Sequence, residues 1–563
     1  MFNDLSALNS EQRHSALRAM TEKPLDVLVV GGGVTGTGAA LDAVTRGLRV
    51  GLVEQRDYAS GTSSRSSKLF HGGLRYLEQF NFGLVREALS ERNLMVNSLC
   101  PHLTEPISFL YPLQHRFWER PYVGAGVALY DILASLADNP LPRHRHIWKK
   151  DLAELVPAVD TSTVHGGVRY WDVLVDDARH TMMLARTAAA NGAYLSSSAR
   201  VSGMNTRSDH VEVEVSDLES NRSLIVDARA VINATGVWAD HIQELVGDDQ
   251  RDVKPSKGIH LVVPRDRIDS RIGMILRTEV SVLFVIPWGE HWIVGTTDTP
   301  WDLGLAHPAA SQNDIDYLLK WVNSVLTSRL TRDDVVGVYA GLRPLLTGES
   351  DQTSKLSREH AVIDDGQRLI TVAGGKYTTY RVMAKDAVDA LSPYLGEIQP
   401  SRTNEVPLVG ADDYREVQQR GSPPHLDRSQ WERLLKRYGD RVRDLTAAVD
   451  REPALGEAIV EGSPYLKAEV DYAVTHEGAL HLDDVLTRRT RLSIETRDRG
   501  LHSAEETARL MGRHLQWGPE DVERELEHYR ARVEAEIDSQ QQPDDRTADA
   551  ARMGAPDVRT GGS

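Results

Sequence analysis

Residues 25–54 read LDVLVVGGGVTGTGAALDAVTRGLRVGLVE, and this stretch constrains the fold more than any other. LDVLVV is a short continuous apolar run, as expected of a strand buried on both faces. Gly31, Gly33 and Gly36 follow in the spacing GxGxxG, and the next stretch, VTGTGAALDAVTRG, carries small residues on one helical face and Gly47 as a stop. RVGLVE then reads as a second strand closed by Glu54. Strand, glycine turn, helix and strand in this order predict a βαβ unit on a parallel sheet. Three absent side chains let the backbone approach a pyrophosphate at the helix N-terminus. Glu54, eighteen positions after Gly36, is placed to accept hydrogen bonds from adenosine ribose hydroxyls. A tight structural turn is the competing reading, and the strand, helix and acid together weigh against it.

Two later segments, ARAVINATGVWAD at 228–240 and RLITVAGGKYTTYRVMAKDAV at 368–388, repeat the pattern of an apolar strand ending in a glycine turn, as strands returning to the first sheet would. HVEVEV at 210–215 alternates strictly, and SVLFVIPWGEHWIVGTTD at 281–298 reads as a hairpin with WGEHW at its turn. A separate, largely antiparallel sheet is expected over much of 246–337. Past residue 400 a Gly-Ser-Pro-Pro linker at 421–424 precedes helical spacing through Trp431, Leu434, Leu435, Tyr438 and Val442. The end of the chain, DSQQQPDDRTADAARMGAPDVRTGGS, is polar and rich in Gly, Pro and Gln, which predicts a disordered tail.

At 563 residues the chain has room for several domains and a large core. Its 65 Lys and Arg against 82 Asp and Glu give a net charge of -17, which repels nucleic acid and argues against it as a partner. A single cysteine, Cys100, excludes a disulfide framework and a thiolate metal site and fits a reducing compartment, so the cytoplasm is the expected location. No signal peptide is expected from the polar N-terminus. YVGAGVALYDILASLA at 122–137 is too short to span a bilayer and carries Asp131. His144 and His146 lack a third ligand at sensible spacing, so no metal is expected. Arg143, Arg145, Lys149, Lys150 and Trp148 form a basic, aromatic stretch that suits either a solvated loop or an anionic membrane surface.

The GxGxxG turn does not by itself separate NAD from FAD. AGGKYTT favours FAD, because Gly374 and Gly375 would open a helix whose free amides can stabilise negative charge on a reduced flavin. Thr235 and Gly236 of NATG fit a close backbone approach to the same cofactor, and an ordinary strand end explains them almost as well.

The motifs VVGGGVTGTGAALDAVTRGLRVGLVE, GTSSRSSKLFHGGLRYLE, GVRYWDVLVDDARHT, VINATGVWAD, FVIPWGEHWIVGTTDTPWD, AGLRPLL and AGGKYTTYRVMAKDA, in that order across residues 24–390, resemble the FAD-dependent glycerol-3-phosphate dehydrogenases, within the glycine oxidase and amino-acid oxidase type of flavoprotein. DYAVTHEGALHLDDVLTRRTRLSIE at 471–495 is similar to the helical cap domain of that family. The resemblance implies an α/β protein with a Rossmann-like FAD-binding domain (24–100, 175–245 and 338–392), an inserted mixed or antiparallel β-sheet substrate domain (101–174 and 246–337), a helical C-terminal domain (400–535) and the tail (536–563). It implies oxidation of sn-glycerol 3-phosphate to dihydroxyacetone phosphate, with electrons passing from FAD to a quinone at the membrane, the enzyme resting on the membrane's inner face. It leaves a homodimer open. GTSSRSSK also resembles the alpha-glycerophosphate oxidases, which use oxygen, and a flavin-binding redox module without turnover is the reading from another class.

A phosphorylated polyol carries about two negative charges and calls for more than one fixed cation in a dry site. Arg75, Arg343 of GLRP and Lys376 of GGKY stand beside the glycine turns that the family layout turns towards the flavin, and Tyr76 adjoins them. Arg offers a planar fork for two phosphate oxygens and Lys a mobile point charge; Arg75 alternatively braces its loop. Hydride loss from an alcohol is easier if a base takes the hydroxyl proton, and His71, kept neutral by cations nearby, is the candidate; a purely structural histidine is the alternative. By the same resemblance Thr62, Ser66, Ser67, Lys68, Gly72 and Gly73 meet the cofactor, Lys68 being equally an ordinary surface residue. Thr378 and Thr379 bind flavin or cap the helix. GTTD at 295–298 resembles a substrate-proximal motif but gives Asp298 no separate role.

Overall fold

The computed structural model describes residues 4–78, 80–115, 118–136, 138, 140–247, 253–279, 282–347 and 359–560. Leu25–Val30 is flanked in parallel by Val50–Val53 and by Arg222–Asn233, with Val27 level with both Val50 and Ala230. Leu369–Gly374 adds in parallel beyond Arg222–Asn233, and Tyr194–Ser196 beyond Val50–Val53. Both late strands therefore return to the first sheet, and their glycine turns end at one edge, the carboxyl ends of parallel strands where ligands bind in such sheets. The alternating segment is the strand Val211–Asp217, whose valines are buried, pairing antiparallel with Arg222–Asn233. The helix Val34–Thr45 sits on this sheet between the helices Asp177–Ala190 and Tyr380–Asp389. Its Ala39, Ala40 and Ala43 are fully buried in the core shared with Met183, Ala384 and Ala387, which is the use of the small-residue face. A Cβ on Gly36 would stand 1.9 Å from the Gly31 carbonyl oxygen, so only glycine lets the helix close on the strand end.

The second sheet is mostly antiparallel. Val253–Pro264 pairs with His291–Gly295 and with Gly337–Leu346, and the hairpin turns between Trp288 and His291, within WGEHW. Gly273–Arg277 joins the hairpin to Thr104–Pro112, which pairs with Gly166–Val175. The boundary expected at 338 is corrected: Gly337–Leu346 runs the length of Val253–Pro264 and belongs to this second sheet. Leu69–Phe70 likewise leaves the nucleotide-binding sheet and pairs with Leu174 and Val173. The chain thus crosses from the first sheet to the second between Val53 and Leu69.

Helices dominate beyond residue 400; Trp431, Leu434, Leu435 and Tyr438 are buried on the helix Arg428–Tyr438, as the spacing predicts. The expected disordered tail is also corrected. The helix Pro519–Ser539 runs on past residue 536, and a further helix, Asp545–Arg552, buries Ala548 and Arg552. Ala548 packs with Val237, Trp301 and Leu342, and ion pairs add to this: Asp545 meets buried Lys257 at 2.5 Å, and Arg559 meets buried Asp484 at 2.8 Å. Ending the chain after Gln542 is expected to leave Asp484 short of one guanidinium partner and Lys257 with only Asp314. Each buried group keeps another partner, so the loss per pair should fall below the about 3 kcal/mol of a buried charge left alone, and calorimetry should show a lower melting temperature; an unchanged one would mean the tail adds nothing.

Candidate active site

A cavity of about 700 Å³ runs from the first glycine turn to the junction of the two sheets. At one end lie Gly31, Gly33 and Glu54. Gly31 has φ of +111°, and its absent Cβ would lie 2.7 Å from the Ala234 carbonyl oxygen. Gly33 precedes the helix Val34–Thr45 without a capping side chain of its own, although Ser63 Oγ accepts from the Val34 amide. Glu54 accepts from the amides of Gly32 (2.6 Å) and Arg56 (2.8 Å), and burial raises its carboxyl above the usual range. This open glycine edge with a carboxylate at the next strand end fits the ADP half of FAD. Thr62, Ser66, Ser67, Gly73, Thr235, Gly236, Gly374, Gly375 and Thr378 line the cavity further along.

His71, Tyr76, Arg343 and Lys376 line the same cavity. Arg343, on Gly337–Leu346, donates to Thr296 Oγ1 and the Thr297 carbonyl, both at 3.1 Å, and lies 3.7 Å from Asp298. The GTTD segment is therefore the brace of Arg343. Lys376 Nζ stands 3.8 Å from the centre of the Tyr76 ring. The His71 amide donates to Thr378 Oγ1 (3.1 Å), which fixes the loop to the turn after Lys376. Burial, then Lys376 and Arg92, push His71 down to about 4, so its imidazole is neutral at physiological pH. Arg75 begins the short helix Arg75–Glu78, but its side chain lies outside the described residues.

Three expectations change. Lys68 is fully buried, and its ammonium meets Asp177 at 2.8 Å and donates to the Ser64 carbonyl, so it anchors the loop and does not reach the cofactor cavity. Gly72 also faces away from the cavity; a Cβ there would strike Leu89 and Tyr130 within 2.8 Å, and its amide donates to Tyr130. A single 3-10 turn, Tyr377–Thr379, follows Lys376 before the helix Tyr380–Asp389, and neither Thr378 nor Thr379 caps that helix through its side chain.

Sequence reasoning passed over Asp177 and His260. Asp177 accepts from the Ser66 amide and hydroxyl while pairing with Lys68 and with Arg491 (2.6 Å), so it holds the active-site loop to the C-terminal helices. It stands in the stretch WDVLVDDARHT, where nothing local shows that it meets Lys68 and Arg491. His260 shares a 2.8 Å hydrogen bond with Ser67 Oγ and stacks on Tyr339 at 4.7 Å. Burial, then Arg343 and Lys68, hold it well below the usual histidine range. No sequence signal marks it, since it lies in an apolar strand.

The two-sheet fold, the glycine edge and the cationic wall define a flavin-dependent oxidoreductase, and the family model described as FAD dependent oxidoreductase matches residues 26–387. The C-terminal domain of alpha-glycerophosphate oxidase matches residues 401–522. The chain belongs to the FAD-dependent glycerol-3-phosphate dehydrogenase family. It is 52% identical over 561 residues to glycerol-3-phosphate dehydrogenase 2 of Mycobacterium tuberculosis, covering 98% of this chain and 96% of that one. It is 35% identical to the mitochondrial glycerol-3-phosphate dehydrogenase of Mus musculus, over 92% of this chain and 74% of that one. The crystal structure of glycerol-3-phosphate dehydrogenase from Bacillus halodurans complexed with FAD superposes with a TM-score of 0.77 at 28% identity, covering 93% of this chain and 98% of that one.

Proposed function

We propose that this chain oxidises glycerol 3-phosphate to dihydroxyacetone phosphate and delivers the electrons to a quinone. The observation that supports the reading is one cavity lined both by the glycine edge and by a neutral His71, Arg343 and Lys376. Bound FAD would supply the two-electron acceptor for the hydrogen on the alcohol carbon. Arg343, fixed by Thr296, Thr297 and Asp298, offers its fork to the phosphate oxygens, and Lys376 adds a second positive charge beside them. An imidazole nitrogen of His71 takes the hydroxyl proton as the carbon gives up its hydrogen. Lys376, one of the groups that keep His71 neutral, then favours release of that proton from the imidazolium.

A second face supports the quinone as acceptor. Trp118, Tyr122, Ile132, Leu136 and Trp148 are each more than half exposed along and beside the helix Glu119–Ser135, with Arg143, Arg145, Lys149 and Lys150 exposed around them. Arg120 stacks over Trp148 at 4.2 Å. Aromatic and aliphatic side chains in a basic rim suit the interface of an anionic bilayer, where quinones reside. Among the described residues no helix is long and apolar enough to cross a membrane, so the contact in this reading is peripheral, at the inner face. Replacing Trp118, Ile132 and Trp148 together by Ser is expected to weaken binding to vesicles containing an anionic phospholipid by about tenfold or more. Reduction by soluble substrate should be unaffected; cosedimentation equal to the parent's would refute the membrane face.

The acceptor is tested by turnover with glycerol 3-phosphate and a soluble quinone analogue in air-saturated buffer. One dihydroxyacetone phosphate per quinone reduced, with little peroxide, is the expected result. Stoichiometric peroxide without use of the quinone would make the enzyme an oxidase, and no product with either acceptor would leave a flavin-binding module.

A further inference from the structure

A second, smaller cavity of about 70 Å³ lies at the seam where the C-terminal helices meet the active-site loop and the second sheet. Its volume takes several waters or one tetrahedral oxyanion. Five guanidinium groups line it, those of Arg65, Arg488, Arg491, Arg532 and Arg552, together with His307. Three are neutralised elsewhere: Arg488 by Asp57 (2.5 Å) and Asp484 (2.6 Å), Arg491 by Asp176 (2.5 Å) and Asp177 (2.6 Å), and Arg532 by Asp483. The carboxylate on the wall, Glu536, is 3.6 Å from Arg499 and 3.9 Å from Arg532. His307 Nε2 stands 3.9 Å from Asp557, which also binds Arg56 at 2.8 Å.

Arg65 and Arg552 are different. Among the described residues neither forms an ion pair, and Arg552, only 4% exposed, has a buried Nη1 with no hydrogen-bond partner. The Nδ1 of His307 has none either. Burial and then Arg532, Arg552, Arg56 and Arg488 push Arg65 down to about 9; burial and then Arg532 push Arg552 to about 10, with Glu536, Asp483 and Asp557 acting in the opposite sense. Guanidinium groups do not shed their proton at physiological pH, so the cavity gathers more positive charge than the single Glu536 carboxylate on its wall offsets, with no direct ion pair to Arg65 or Arg552 among the described residues. An anion with several acceptor oxygens would match the donor forks.

We propose that this seam binds a small tetrahedral oxyanion of the inorganic phosphate class, held by Arg65 and Arg552 with His307 and Arg532 completing the shell. It is distinct from the phosphate position assigned to Arg343 and Lys376. Arg65 ties the two regions together, since its carbonyl oxygen and Cβ lie within 2.8 Å of where a Cβ on Gly341 would stand at the large cavity, while Arg532 and Arg552 of the seam are the charges that act most on its guanidinium. The anion would fasten the helix Asp545–Arg552 to the cofactor loop 61–66. The cavity has room for the free anion and not for an ester's organic group.

The test uses the full-length, FAD-loaded protein carrying Arg343→Ala, which weakens the active-site phosphate position, dialysed into phosphate-free buffer. Equilibrium dialysis with labelled inorganic phosphate should find about one bound per chain, and phosphate should raise the melting temperature. Adding Arg552→Gln should weaken binding by about tenfold or more, the worth of a charge-assisted contact. Without phosphate, that variant should melt no lower than its parent, because a buried charge with no direct ion pair among the described residues has been removed. No phosphate bound to the Arg343→Ala protein would overturn the proposal whether or not the Arg552 variant folds. So would undiminished binding by Arg552→Gln, or an equal loss of melting temperature in both buffers, which marks a merely structural arginine. Equal protection by phenyl phosphate would overturn the assignment to a free anion.

Discussion

Arg343→Ala is expected to raise the Michaelis constant for glycerol 3-phosphate about 100-fold, with a smaller fall in turnover number. Arg343 is held by two 3.1 Å hydrogen bonds to the Thr296–Thr297 segment and by Asp298 at 3.7 Å, so its fork is fixed before any substrate arrives. Losing a preorganised, charge-assisted contact to a dianion in a half-buried site costs about 3 kcal/mol, and each 1.4 kcal/mol is tenfold. Arg343→Lys should recover only part of the affinity, because an ammonium cannot place two parallel donors on the phosphate. Steady-state kinetics on folded variants decide the matter. A Michaelis constant unchanged in Arg343→Ala would remove Arg343 from the substrate's phosphate.

His71→Ala acts on a different quantity. It should slow reduction of the flavin by about 100-fold or more while leaving substrate affinity within a few fold, since a general base contributes about 10²–10⁴ to the chemical step. The pH dependence follows from the depressed basicity of the imidazole. The required form is neutral, and with the group pushed down to about 4 it stays neutral throughout the physiological range. Reduction in the free enzyme should therefore hold level from pH 8 down to pH 5 and fall only as pH approaches about 4, provided that the fold survives. Stopped-flow reduction across that range tests both points. A parent enzyme that loses its rate between pH 7 and pH 6, or a His71→Ala variant reduced at the parent's rate, would assign the proton to another group.

What the sequence reveals follows from whether a residue's partner is local. The βαβ unit is legible because strand, turn and helix are contiguous, and Gly36 records in its own absence of a side chain the 1.9 Å approach of the Gly31 carbonyl. Arg343 and Lys376 are legible through the glycine turns beside them, although which sheet carries Arg343 is not: its strand pairs with Val253–Pro264 and not with the nucleotide-binding strands. Lys68 misleads because the carboxylate that claims it, Asp177, lies more than a hundred residues on. The tail misleads for a related reason. Asp545 and Arg559 tie it down by ion pairs to Lys257 and Asp484, and Ala548 is a small apolar contact, so a test of apolar content sees little to bury. His260 leaves no trace at all, since an apolar strand gives no hint that Ser67 and Tyr339 will close around it.

The most direct measurement is anaerobic. Glycerol 3-phosphate added to the yellow, oxygen-free protein should bleach the flavin absorbance, with one dihydroxyacetone phosphate formed per flavin reduced. Flavin that stays oxidised in the presence of saturating glycerol 3-phosphate would contradict the proposed reaction outright.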